Sequence, residues 1–253
     1  MAEYKSNYLT NVIYRIDFND IEEINNNVAL ESIYEKINAT GLFPNKNIHQ
    51  MTEKSIQIES DSKSSVITNF IHKLNCQSNN AENIEINKRS IIINLKKYTN
   101  FSCFMKIIDI VHAAVADIKD KIKIKRLGVR YINEISLKEG LPFDNGNIIS
   151  EKLTSKEIEF FSVEEQNHIN RSLSQTSFIY DDYQVVFTNG YVNSQFPAKI
   201  LKNEYLLDID CFTNSCEFND IKTIITKMNT EIITPFFEKS IKDALRNEMN
   251  KNK

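Results

Sequence analysis

The chain has 253 residues, of which 41% are hydrophobic and 26% charged, with a formal net charge of −3. Its length fits one large domain or two small ones, and its composition is that of a globular protein able to bury a core. The slight acidity excludes general coating of DNA or membrane, though not a local basic patch.

The four cysteines, Cys76, Cys103, Cys211 and Cys216, form no CxxC and have no histidine at zinc-finger spacing. They read as free thiols in a reducing cytoplasm. The start lacks a basic segment followed by an apolar one, and no apolar run approaches the ~20 residues of a membrane span. A soluble, cytoplasmic protein is expected.

In chain order, Tyr8 to Phe18 is rich in β-branched and aromatic residues, and Val12, Tyr14, Ile16 and Phe18 share one strand face. Asp20 is placed to cap a short helix, and a second helix runs from about Val28 to Ile37, ended by Gly41 and Pro44. Residues 54–97 read as successive strands, with a hairpin loop over Gln77–Asn83. The apolar run Ile91–Ile93 suits a central strand covered on both faces. Helical spacing of Phe104, Ile107, Ile108, Val111, Val115 and Ile118 predicts a helix over about 101–118, capped by Thr99 or Asn100. His112, beside that stripe, reads as a surface or hydrogen-bonded core histidine ahead of a catalytic or metal-binding one.

The stretch Lys121–Leu137, KIKIKRLGVRYINEISL, carries the densest basic cluster. Ile122 and Ile124 occupy one parity, whereas Leu127, Val129, Tyr131, Ile135 and Leu137 occupy the other. The apolar face therefore flips near Lys125–Arg126, and a bulge or break is the simplest cause. Asn133 falls on the apolar face, where an unpaired amide would cost about 1–3 kcal/mol, so it should bond backbone or a polar neighbour.

The segment 138–147, KEGLPFDNGN, reads as a hinge between halves 1–140 and 141–253. Strand signals resume over Arg171–Asn193, with Asn189–Gly190 predicted as a two-residue hairpin turn. Tyr205–Phe212 is a further strand. A long helical pattern over about 219–249 should kink or divide near Thr234, before Pro235. Tyr98-Thr99-Asn100 and Phe212-Thr213-Asn214 occupy matching strand-to-helix joints. The expected class is α+β, as two loosely repeated halves, each an antiparallel β-rich unit closed by a long helix. Chance similarity within so biased a composition is the alternative to a repeat.

Within the basic stretch, Arg126, Gly128, Val129, Arg130, Tyr131, Ile132 and Asn133 spell RLGVRYIN with its intervening leucine. This resembles the R-x-G-[LV]-R-Y-I-N signature strand of a sporadically distributed family of uncharacterised bacterial proteins. VIYRIDF near the start, and YLLDID followed by PFFEKSIKDAL near the end, are similar to that family's flanking elements. The resemblance spans most of the chain, but only the central motif is specific. It implies no established activity. The family's patchy distribution implies carriage on mobile or defence-related gene clusters.

For chemistry, Asp208 and Asp210 share one strand face, as do Arg126 and Arg130. Were their strands neighbours, they would form a charged network: solvent-facing charges, an Arg–Asp lock between halves, or a ligand site. Lys88, Arg89, Lys96, Lys97, Lys121, Lys123, Lys125, Arg126 and Arg130 are a candidate phosphate-neutralising stripe, with Tyr98 and Tyr131 to stack on bases. GxSxG, HExxH, GxxxxGK[ST] and GxGxxG are missing, and the residues imply no cofactor, metal or catalytic group. Cys103 with His112, or Cys211 with His168, would be a reactive pair only if the fold joined them. The apolar stripe beyond Pro235 either packs internally or docks on a protein partner or second copy. The reading is a non-catalytic binding or regulatory protein, an accessory component of a defence or toxin–antitoxin locus. The alternative is a nucleic-acid or nucleotide binder using Lys121, Lys123, Lys125, Arg126, Arg130, Tyr131 and Asn133.

Overall fold

The computed structural model describes residues 4–58, 64–80, 82–137, 148–153, 158, 160–198, 202–214 and 216–251. The hinge expected at 138–147, with Gly140, Pro142 and Gly146, lies outside them. The fold is α+β. Among the described residues, nine strands form one sheet: β1 (Leu9–Phe18), β2 (Asn45–Ile58), β3 (Ser64–Gln77), β4 (Asn83–Asn87), β5 (Ser90–Leu95), β6 (Ile124–Leu137), β7 (Ser172–Ile179), β8 (Gln184–Val192) and β9 (Asn203–Thr213). Their order in the sheet is β2-β3-β4-β5-β1-β6-β9-β8-β7, and the pairs β2–β3, β3–β4, β4–β5, β7–β8 and β8–β9 are antiparallel.

Two compact units divide the chain. One comprises Tyr14–Leu127 and Asn214–Asn219; the other comprises Met1–Ile13, Gly128–Thr213 and Asp220–Lys253. Both β1 and β6 pass from one unit to the other along their length.

In the first unit, α1 (Asn27–Asn38) starts where the Asn26 side chain accepts a hydrogen bond from the Ala29 amide. It ends before Gly41, whose φ of +70° suits a residue without Cβ. Asp20 does not cap a helix. It pairs with Arg89 and Lys88, and the short 3₁₀ turn Glu22–Ile24 starts without a side-chain cap. Helix α2 (Phe101–Ala114) is capped by Asn100, which accepts from the Cys103 amide at 2.8 Å. It stops four residues short of the expected 118, and a 3₁₀ helix, Ala116–Lys121, continues the path. The alternate residues Tyr14, Ile16 and Phe18 are buried, and the Tyr14 hydroxyl hydrogen-bonds His112 of α2 at 2.7 Å. The buried side of β1 here therefore faces α2. Ile92, between the buried Ile91 and Ile93, is only half-buried, so β5 is covered fully on one side alone.

In the second unit, Val185, Phe187, Tyr191, Leu207 and Ile209 are buried on one parity, and the Phe187 ring meets Phe236 edge-on at 5.7 Å. The C-terminal helical pattern is α4 (Ile221–Lys227), a π-helical turn (Met228–Ile233), α5 (Thr234–Ser240) and α6 (Asp243–Asn250). A short helix, α3 (Val163–Gln166), precedes β7 and carries a Ser162–Glu165 capping box.

Near Pro235 the run changes from the π turn to α5, but the backbone stays helical there. The π turn immediately before Pro235 widens the backbone, where a proline ring would otherwise collide with the carbonyl four residues back. The break falls later, at Ile241. There the backbone becomes extended and bridges Ile149, while the Ser150 amide donates to the Ser240 carbonyl and the Lys242 amide to that of Ile148.

Asn189–Gly190 is not a hairpin turn but lies inside β8, paired with Ser174 and Leu173. Gly190 has φ +139°, and a Cβ there would approach the Ser172 carbonyl oxygen to 2.2 Å. This glycine serves close strand approach and a backbone angle closed to other residues. The turn joining β7 to β8 is Tyr180–Tyr183, closed by the Tyr180 amide donating to the Tyr183 carbonyl.

Candidate functional site

Strand β6 carries most of the predicted site residues. Ile122 and Ile124 are buried, Lys125 is exposed, and from Leu127 the odd positions Val129, Tyr131, Asn133 and Ile135 are buried. The parity flip expected near Lys125–Arg126 is present. Tyr131 is on the core side of β6, so its ring is packing surface and not a platform for an unpaired base. Tyr98 likewise sets its ring edge-on against Phe104 at 6.3 Å. Asn133, also buried, donates from Nδ2 to the Leu207 carbonyl at 3.3 Å, the backbone partner its position demanded.

The opposite parity carries Arg130, and β6 is next to β9 in the sheet. Arg130 forks onto Asp208, with Nε donating to Oδ1 at 2.8 Å and Nη2 to Oδ2 at 2.5 Å. The Asp208 side chain is 8% exposed and that of Arg130 is 44% exposed, so the guanidinium covers the carboxylate. The hydrogen bond to Asp208, then the charges of Asp208 and Asp210, hold Arg130 above the usual arginine pKa. Asp210, half-buried, lies two residues along the same side of β9. Chemically this is a satisfied bidentate ion pair that orients two strands. Among the described residues, no group of three or more His, Cys, Asp or Glu is placed to hold a metal ion.

The remaining basic residues of the stripe divide in two. Lys88 has a side chain only 7% exposed and is held by Glu22 and by Asp20 at 3.4 Å; Arg89 is shared between Asp20 at 3.0 Å and Glu53 at 2.8 Å. Lys121 pairs with Glu23 at 2.6 Å. The hydrogen bond to Glu22 leads the effects that raise the Lys88 pKa. These cations are neutralised within the fold. Lys96, Lys97, Lys123 and Lys125 are exposed, and Arg126 is half-buried.

The two suggested thiol–histidine pairs do not stand out as reactive sites. His112 is bonded to Tyr14 and lies 4.8 Å from the Phe218 ring, while Cys103 is exposed at the start of the same helix. Burial pushes the Cys211 thiol up to about 12, whereas His168 is exposed. The apolar stripe beyond Pro235 packs inward, since Phe236, Ile241, Leu245 and Met249 are all buried.

An apolar surface that the sequence reading missed lies on the β2–β3 hairpin. Both strands run 14 residues, but β4 pairs only with Lys73–Gln77, leaving the outer part a two-stranded ribbon. Asn25 ties its base to the Phe70 carbonyl and the His72 amide, and Arg89 ties it at Glu53. Farther out, Ile56 and Val66 face each other, 68% and 62% exposed; nearer the base, beyond the intervening Lys54–Thr68 pair, Phe70 opposite Thr52 is 53% exposed. The alternation of KSIQI was legible as a strand. Nothing in it revealed that Ile56 would remain 68% exposed among the described residues.

The chain matches no protein-family model, and no curated protein is similar to it.

Proposed function

We propose that the protein is a non-catalytic binding or regulatory protein that engages a protein partner through the outer β2–β3 hairpin. The observation that carries this reading is the exposed Ile56–Val66 pair on the outer ribbon, with Phe70 exposed nearer its base. An isolated two-stranded hairpin is marginal in water, and large apolar side chains left as exposed as the facing Ile56 and Val66 suit a contact surface. Ile56 and Val66 lie beyond the Asn25 and Arg89 ties, so they serve little in the chain's own core. The RLGVRYIN resemblance, with the gene-cluster carriage it implies, supports an accessory role in a bacterial defence or toxin–antitoxin locus. The free thiols of Cys76, Cys103 and Cys211 support a cytoplasmic setting.

A two-halves repeat belongs to the same proposal. Its support is the strand order, in which 2-3-4-5-1 is followed by 6-9-8-7, so that each set places its opening strand beside its closing one; this grouping puts β6, which lies within residues 1–140, with the second set.

The test is affinity capture from the native host with the wild-type chain and with an Ile56→Asp/Val66→Asp variant. A specific protein retained by the first and lost by the second is expected. Equal capture by both would sink the hairpin reading. The nucleic-acid alternative draws its support from exposed Lys96, Lys97, Lys123 and Lys125. It requires salt-sensitive binding to single-stranded or duplex nucleic acid at low ionic strength; the acid-paired state of Lys88, Arg89 and Lys121 weighs against it.

A further inference from the structure

The sheet ends in two strands of opposite character. The β2 edge carries Lys46, Glu53 and Lys54, charges of the kind that discourage edge-to-edge pairing. The β7 edge, SLSQTSFI, carries no charged residue and no proline or glycine over its eight positions. Its side chains are exposed or half-buried throughout, with Ile179 84% and Leu173 36% exposed. Its pairing with β8 uses one side of its backbone, and among the described residues no strand pairs with the other. An uncharged edge strand with exposed apolar side chains is a template for another strand.

We propose that β7 is a dimerisation edge that takes β7 of a second copy of this chain, antiparallel, about a two-fold axis at Thr176. The residues select this occupant and this register. A two-fold axis perpendicular to a sheet pairs odd positions with odd ones, keeping each face of the sheet continuous. With Thr176 on the axis, Leu173 meets the partner's Ile179, Gln175 meets the partner's Ser177, and Ser174 meets the partner's Phe178. The two most exposed apolar side chains of the strand thus cover each other, on the side of β7 that pairs with Gly190 and Gln184 of β8. Shifting the axis to Gln175 instead sets Leu173 against serine and brings Arg171 opposite Ile179. No like charges oppose each other in the Thr176 register. The charged β2 edge cannot continue the association, so it closes at two copies.

The inference is independent of the hairpin reading. The hairpin lies on β2–β3, at the other end of the strand order, and the Ile56→Asp/Val66→Asp chain should dimerise like wild type.

The experiment is sedimentation velocity of the full chain across roughly a hundredfold range of concentration, following mass action. Wild type should pass from monomer to dimer. Thr176→Lys and Thr176→Glu, each placing like charges face to face on the axis, should remain monomeric with unchanged circular dichroism. The two variants mixed in equal amounts should regain the dimer. A monomeric wild type throughout would overturn the proposal, as would a variant that dimerises like wild type. A mixture that stays monomeric, with both variants folded, would overturn the Thr176 register.

Discussion

Gly190 and Arg130 show how much one side chain can decide here. At Gly190 both the φ of +139° and the 2.2 Å approach to the Ser172 oxygen exclude a Cβ. Gly190→Ala should lower the unfolding free energy by about 2–4 kcal/mol, read by urea denaturation. Arg130→Ala would strip the cover from Asp208 and should cost about 1–3 kcal/mol. That is below the figure for a fully buried pair, because Arg130 is 44% exposed. Arg130→Lys should recover only part of the loss, since a single ammonium cannot make the fork.

The Asp20–Glu22–Lys88 knot sets a pH dependence. The Lys88 hydrogen bond holds Glu22 below its usual range. At Asp20, burial acts upward, but hydrogen bonds from Arg89 and Lys88 prevail and lower it. Depressed carboxyl values mean stabilisation present above the unfolded pKa, about 4, and lost as pH falls through the folded values. The raised Lys88 acts the other way: its contribution is complete below its unfolded pKa and is lost only at strongly alkaline pH. Stability should therefore fall below about pH 4, and Lys88→Met should flatten that acid limb. An acid limb of equal steepness in both proteins would count against the knot.

Among the elements, those defined by local pattern and capping were legible. The alternation in β1, the α2 stripe from Phe104 to Val111 and the Asn100 cap stand as the residues foretold, while Val115 and Ile118 fall beyond α2. The C-terminal run changes from a π turn to α5 at Thr234, where a division was expected, but its backbone break lies at Ile241. The rule that proline breaks a helix interior does not see a π turn that makes room for Pro235, nor the Ile149–Ile241 bridge that ends α5. The β2–β3 ribbon belongs to this scale too. Ile56→Asp/Val66→Asp should change global stability by no more than about 0.5 kcal/mol, because neither side chain is packed. A large loss would show that the ribbon serves the fold and not a partner.

For the molecule as a whole, the strand order predicts a gradient of protection. Amides of β1 and β5, inside the sheet with strands on both sides, should exchange far more slowly than those of outer β2, at residues 54–58. Exchange at outer β2 as slow as in β1 would contradict this order. The basic stripe is a lesson at the same scale. In the sequence, Lys88, Arg89 and Lys121 look like one electrostatic surface. In the fold each meets an acid from the 20–23 segment, 66 positions away for Lys88 and Glu22, and the surface is much reduced.

By itself the sequence determined the α+β class, the buried faces of β1 and β6, the parity flip near Lys125–Arg126, and the need of Asn133 for a partner. Each of these follows from local periodicity or from the cost of burying a polar group. Only the tertiary structure decided that Arg130 closes on Asp208, that Gly190 serves strand approach instead of a turn, and that one sheet edge is charged while the other is bare. Those depend on which distant strands become neighbours, and alternation along a strand marks which side is apolar without saying what, if anything, will cover it.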